Sequence, residues 1–141
     1  MKQGPAVVLF ACVHNAGRSQ MAAALFDALS DEKKARAVSA GTQPGDRVHP
    51  EVLAVMLESG IDLSGVRPQK LTDELAASAS LLVTMGCGDA CPAVPKLEVL
   101  DWPLEDPKGQ PPERVRAIRD DIEARVRRLL AERGWARVTT D

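Results

Sequence analysis

Ala6-Val7-Val8-Leu9-Phe10-Ala11-Cys12-Val13-His14-Asn15-Ala16-Gly17-Arg18-Ser19 runs from an unbroken apolar segment through a thiol and a short polar loop into a helical pattern. The apolar run Ala6 to Ala11 reads as a buried strand, and Met21, Ala24, Leu25, Ala28 and Leu29 recur at helical spacing over Ser19 to Leu29. A five-residue loop between a strand end and a helix N-terminus can aim successive backbone N–H groups at one tetrahedral anion. The guanidinium of Arg18 can then clamp two of its oxygens. The same donors and the helix dipole favour the Cys12 thiolate, which Ser19 can steady through its hydroxyl.

A lone cysteine at a strand end reads first as one more buried apolar thiol. Its neighbours argue for chemistry instead. Gly17 supplies backbone freedom, Asn15 tolerates left-handed geometry, and Arg18 is an odd companion for a core cysteine. Val13, His14, Asn15, Ala16, Gly17, Arg18 and Ser19 are therefore the expected anion-binding loop, with His14 at its rim or as a solvated bystander.

A length of 141 residues fits one domain, 1–141, with a sound core. A formal charge of −2 gives no electrostatic reason to expect nucleic acid or a membrane surface. No leader-like start and no apolar run of membrane-spanning length is visible, so the cytoplasm is the expected compartment. Three cysteines are too few and too unevenly spaced for a disulfide scaffold. Each calls for its own explanation.

Farther along, Ala35 to Ala40 is a second short strand closed by Gly41. Pro50 opens a helix carrying Val52, Leu53, Val55, Met56 and Leu57. Thr72 can cap a short helix with Asp73 and Glu74 in its first turn, and Leu81 to Met85 and Leu97 to Leu100 read as third and fourth strands. Over Glu113 to Arg133 a stripe of Val115, Ile118, Ile122, Val126, Leu129 and Leu130 makes a long amphipathic closing helix. Its arginines read as a solvated face. The alternation predicts an α/β fold: a single doubly wound, four-stranded parallel sheet flanked by helices on both faces. Ligands then collect beyond the carboxyl ends of the strands, where Cys12, Cys87 and Asp106 all fall.

Cys87-Gly88-Asp89-Ala90-Cys91-Pro92 places two thiols three residues apart among small, flexible neighbours. Such a pair can bridge with modest backbone adjustment. Zinc is disfavoured, because zinc sites usually use C-x₂-C or C-x₄-C pairs with further cysteines or histidines, and only His14 and His49 are available besides. In Asp101-Trp102-Pro103-Leu104-Glu105-Asp106-Pro107 the last acid is held extended by the proline after it, which suits a general acid. Asp101 and Glu105 are possible substitutes.

Taken together, Cys12 to Ser19 resembles the C-x₅-R-S phosphate loop of low-molecular-weight protein tyrosine phosphatases, and Asp106-Pro107 resembles their distal acid. With Cys87 and Cys91, the likeness is to the thioredoxin-coupled arsenate reductases built on that phosphatase fold, and it covers nearly the whole chain. The resemblance implies nucleophilic attack by Cys12 on arsenate held by the loop and Arg18, with Asp106 protonating the departing oxygen. It further implies a cascade in which Cys87 attacks Cys12 and Cys91 resolves the disulfide, with thioredoxin as reductant and phosphate as competitor. The segment from Gly86 to Pro92 is then expected to rearrange on oxidation. No cofactor or metal is implied, since Ala23 stands where some members carry a potassium-binding glutamate.

Three other readings follow from the same residues. A low-molecular-weight thiol can replace thioredoxin. A tyrosine phosphatase needs Cys12, Arg18 and Asp106 but neither Cys87 nor Cys91, and the chain has no tyrosine to wall a phenyl ring, with Lys108-Gly109 following Pro107. A non-enzymatic thiol module binding a soft metal leaves Arg18 without a task.

Overall fold

The computed structural model describes residues 4–86 and 97–137. Its elements are β1 (Ala6–Cys12), α1 (Arg18–Leu29), β2 (Ala35–Gly41), α2 (Pro50–Glu58), α3 (Asp73–Ser78), β3 (Leu81–Thr84), β4 (Glu98–Asp101) and α4 (Pro112–Arg133). The four strands form one sheet in the order β2-β1-β3-β4, and every pairing is parallel. Because the chain leaves β1 to one side for β2 and returns to its other side for β3, the ends of β1 and β3 frame the switch point at which such sheets bind ligands.

Side-chain alternation divides the core into two. Val8, Phe10 and Cys12 join the larger cluster with Met21, Ala22, Leu25 and Phe26 of α1, Val52, Val55 and Met56 of α2, and the whole predicted stripe of α4. Leu9 and Ala11 face the opposite way, into a smaller cluster with Leu82, Ala76 of α3 and the nearby Ala79. Phe10 anchors the larger side, with its ring 5.8 Å from Phe26 and 5.7 Å from Trp102.

The chemistry of the termini matches the elements. Thr72 caps α3 by accepting from the Leu75 N–H, with Asp73 and Glu74 in the first turn. Pro50 begins α2, and Gly134 ends α4 in the left-handed region at φ 71° and ψ 30°. One sequence expectation needs correcting. In α1 the buried face is Met21, Ala22, Leu25 and Phe26, while Ala28 is exposed and Ala24 and Leu29 only partly buried. This helix packs against both the sheet and α4, which broadens its buried face beyond a single stripe. At the far end of the chain the Arg137 N–H donates to Leu29 O at 2.9 Å, tying the residue to the end of α1. Among the described residues no helix is long and apolar enough to cross a membrane.

Candidate active site

Beyond β1 the chain makes a loop whose carbonyls are all tied outward. Cys12 O accepts from Thr42 N, Val13 O from Gln43 N, His14 O from Gly45 N, Ala16 O from His49 N and Gly17 O from Met21 N, at 2.8 to 3.2 Å. Asn15 O accepts from the Gln20 side chain at 3.1 Å. In a planar trans peptide the N–H points opposite to the C=O. Six outward carbonyls therefore turn the N–H groups of Val13, His14, Asn15, Ala16, Gly17 and Arg18 to the other side of the loop. The helix that follows has no side-chain cap and no acid in its first turn, so nothing of its own competes for those donors.

Asn15 is the pivot. It takes φ 51°, the left-handed geometry expected of it, and is fully buried. Its Oδ1 accepts from Gln69 N at 2.9 Å and from Gln20 Nε2 at 3.1 Å, and since a backbone N–H can only donate, the amide orientation is fixed. Nδ2 then donates to Ser19 Oγ at 2.8 Å. The Ser19 hydroxyl in turn shares a hydrogen bond with Cys12 Sγ, 2.8 Å away. Cys12 is 2% exposed at the end of β1.

Arg18 opens α1, and its guanidinium crosses to the far side of the site. Nη1 donates to Leu104 O at 3.1 Å, and Nη2 lies 3.9 Å from Asp106 Oδ2. The Arg18 side chain is 11% exposed and that of Asp106 46%. Passage is possible because residue 86 is glycine: at φ 97°, an alanine Cβ there would lie 2.2 Å from Arg18 Nη1. Gly41 plays the same part beneath the loop, where a Cβ would meet Val13 O at 2.6 Å and Asn15 N at 2.9 Å. Gly17 was expected to supply backbone freedom, yet its φ of −144° is not left-handed. What it supplies is room, since a Cβ there would press on Pro107 Cγ at 2.8 Å.

That contact seats Asp106-Pro107 against the loop. Asp106 is the acid beside Arg18, whereas Asp101 accepts from the Thr84 hydroxyl at 2.8 Å and Glu105 pairs with Arg114. His14 sits at the rim, its Nδ1 3.0 Å from Gln43 O. His49 caps α2 between the loop and the acid segment; its pKa falls below the ordinary 6.5 because burial opposes the charged ring more than Asp106 and Glu51 attract it. Cys87 and Cys91, with the rest of the segment expected to rearrange as far as Pro92, lie outside the described residues.

In sequence and fold the chain matches known proteins. The low molecular weight phosphotyrosine protein phosphatase profile matches residues 7–139. The chain belongs to that family. Within it, a putative arsenate reductase of Halobacterium salinarum is 42% identical over 127 residues, 87% of this chain and 89% of the relative. A glutaredoxin arsenate reductase of Synechocystis is 37% identical over 128 residues, covering 89% of this chain and 96% of the relative. The solved thioredoxin-dependent arsenate reductase of Corynebacterium glutamicum gives a TM-score of 0.80 at 37% identity over 94% of this chain. This chain spans 63% of the length of that structure.

Sequence reasoning located Cys12, the loop, Arg18, Ser19 and Asp106 and the fold brings them together. It missed Gly41, Gly86, His49, Gln69 and the Leu104 carbonyl. None of the five carried a signal that names its partner: a glycine closing a strand, as at 41 and 86, marks close approach of some group without saying which.

Proposed function

We propose that this family member reduces arsenate to arsenite, with residues 1–141 acting as one domain. The observation that carries this reading is the Cys12 sulfur hydrogen-bonded to the Ser19 hydroxyl under a ring of inward N–H groups, with Arg18 and Asp106 beside it. A tetrahedral oxyanion bound there accepts the loop N–H groups and the Arg18 guanidinium. Cys12 attacks arsenic, and Asp106 gives its proton to the oxygen that departs as water. The relatives named above make arsenate, rather than a phosphate monoester, the favoured substrate, and phosphate is expected to compete through the same shape and charge.

Cys87 then attacks the Cys12 sulfur. The sulfur–arsenic bond breaks with its electron pair passing to arsenic, which leaves as arsenite, and a Cys12–Cys87 disulfide remains. Cys91 attacks Cys87, freeing the Cys12 thiolate and producing a Cys87–Cys91 disulfide that thioredoxin reduces. The test is NADPH oxidation with arsenate, thioredoxin and thioredoxin reductase, run beside Cys91→Ser and Arg18→Ala. Arsenate-dependent turnover in the parent, absent from both variants, is the expected result. Turnover that appears only with glutathione and glutaredoxin would replace the reductant, a reading favoured by the Synechocystis relative. No turnover with either system, together with hydrolysis of aryl phosphates, would return the chain to phosphatase chemistry.

A further inference from the structure

The turn that carries Asp106 is mostly exposed, and its shape comes from bonds within it: Lys108 N donates to the Asp106 side chain at Oδ1, 3.0 Å, and Gln110 N to Pro107 O at 3.1 Å. Neither bond fixes where the turn sits relative to the oxyanion loop. Pro107, which is buried, fills the space over Gly17 from one side. On the distal side Gly109 N, at φ 73°, donates to Glu51 Oε2 at 3.1 Å across 58 residues of sequence.

Glu51 lies in the first turn of α2. Two residues earlier on the same rigid element, His49 N donates to Ala16 O in the oxyanion loop at 2.9 Å. One helix end thus grips both halves of the site, the loop through a backbone donor and the acid turn through a carboxylate. We infer that Glu51 is a positioning residue for the acid: it latches the 106–110 turn to α2 and so sets the distance from the Asp106 carboxyl to the oxyanion held by the loop. A carboxylate serves because it accepts a charge-assisted bond from a backbone N–H at an exposed place where a neutral pair would be weaker. The inference rests on the assignment of Asp106 as general acid in arsenate reduction.

The experiment compares Glu51→Ala, Glu51→Gln and Asp106→Asn in the coupled arsenate assay, with amide hydrogen exchange of Gly109 followed by NMR in each. Loss of one bond to a charged acceptor that misplaces the acid is expected to lower kcat about fivefold or more in Glu51→Ala, with KM for arsenate within about twofold. Gln keeps an oxygen that accepts from the Gly109 N–H, though more weakly, so Glu51→Gln lies between the parent and Glu51→Ala in both turnover and Gly109 exchange. A general loosening of the fold would move KM with kcat and would accelerate exchange in β1 and β3 amides as well, which would overturn the proposal. So would an unchanged kcat in Glu51→Ala beside a depressed one in Asp106→Asn. If Asp106→Asn itself keeps full turnover, the general-acid assignment fails and the positioning role falls with it. Gly109 exchange still separates the two failures, because it reports the latch without using the reaction.

Discussion

Replacing Gly86 with alanine separates what the fold tolerates from what the site requires. At φ 97° an L-residue carries backbone strain of about 1–2 kcal/mol. The new Cβ would stand 2.2 Å from Arg18 Nη1, about 1.3 Å inside an ordinary contact of roughly 3.5 Å. Relief is easy for stability and damaging for function. The clashing atom is the tip of a flexible side chain, so the guanidinium retreats, and the Leu104 O bond at 3.1 Å and the approach to Asp106 at 3.9 Å go with it.

Displacing an anion clamp by more than about 1 Å is expected to lower kcat/KM by roughly 10²-fold, the scale found when a positioned oxyanion donor is lost. Gly60→Ala is the control. Gly60 also has positive φ, 80°, but a Cβ there has nothing within 4 Å, so it carries the backbone strain without the collision. Urea unfolding of both variants should show a similar loss of about 1–2 kcal/mol, while coupled arsenate turnover and phosphate binding by calorimetry should fail only in Gly86→Ala. If Gly86→Ala binds phosphate as the parent does and turns over within about threefold of it, the steric argument is refuted.

Ser19→Ala removes the hydroxyl hydrogen-bonded to Cys12 Sγ and is expected to slow alkylation of Cys12 by iodoacetamide at neutral pH about tenfold, with circular dichroism unchanged. His49→Asn should flatten the stability profile below neutrality: the folded state holds the ring neutral, so the unfolded chain binds more protons, and stability present above about pH 6.5 is lost as pH falls beneath it. Urea midpoints at pH 7.5 and 5.5 measure the difference, and an equal slope in parent and variant contradicts it. Ile122→Ala, at a fully buried point on α4, should lose about 2–5 kcal/mol without changing the urea m-value.

The fold was readable where one local signal determines one element. The stripe from Val115 to Leu130 is buried at all six predicted positions, and Thr72 caps as its side chain suggests. The thiol, the arginine and the loop between them occupy consecutive residues, so their pattern survives in one dimension. In α1 the signal is blurred, because Ala22, Ala23 and Ala24 contribute little contrast and Phe26 turns inward toward Phe10 and Trp135. Gly41 and Gly86 were illegible for another reason. Each is defined by a group distant in sequence, Val13 O in one case and the tip of Arg18 in the other, and a glycine's own neighbours do not say what crosses above it.

The same point bears on how the oxyanion loop keeps its shape. Its carbonyls are tied chiefly by the β2–α2 connection, through the N–H groups of Thr42, Gln43, Gly45 and His49, so the loop is rigid only while that connection is in register. Without it the loop's inward N–H groups would turn toward its own carbonyls, since four of the six, those of Cys12, Val13, His14 and Ala16, would lose their donors. Inserting one residue between Gly45 and Val48 touches no group that meets the anion and leaves the sheet pairing intact, yet it shifts the His49 donor away from Ala16 O. Phosphate affinity measured by calorimetry should therefore drop by about tenfold or more, as expected for a loop that must pay to order itself on binding. Unchanged affinity would mean that the loop holds its conformation from Asn15, Ser19 and Gln20 alone.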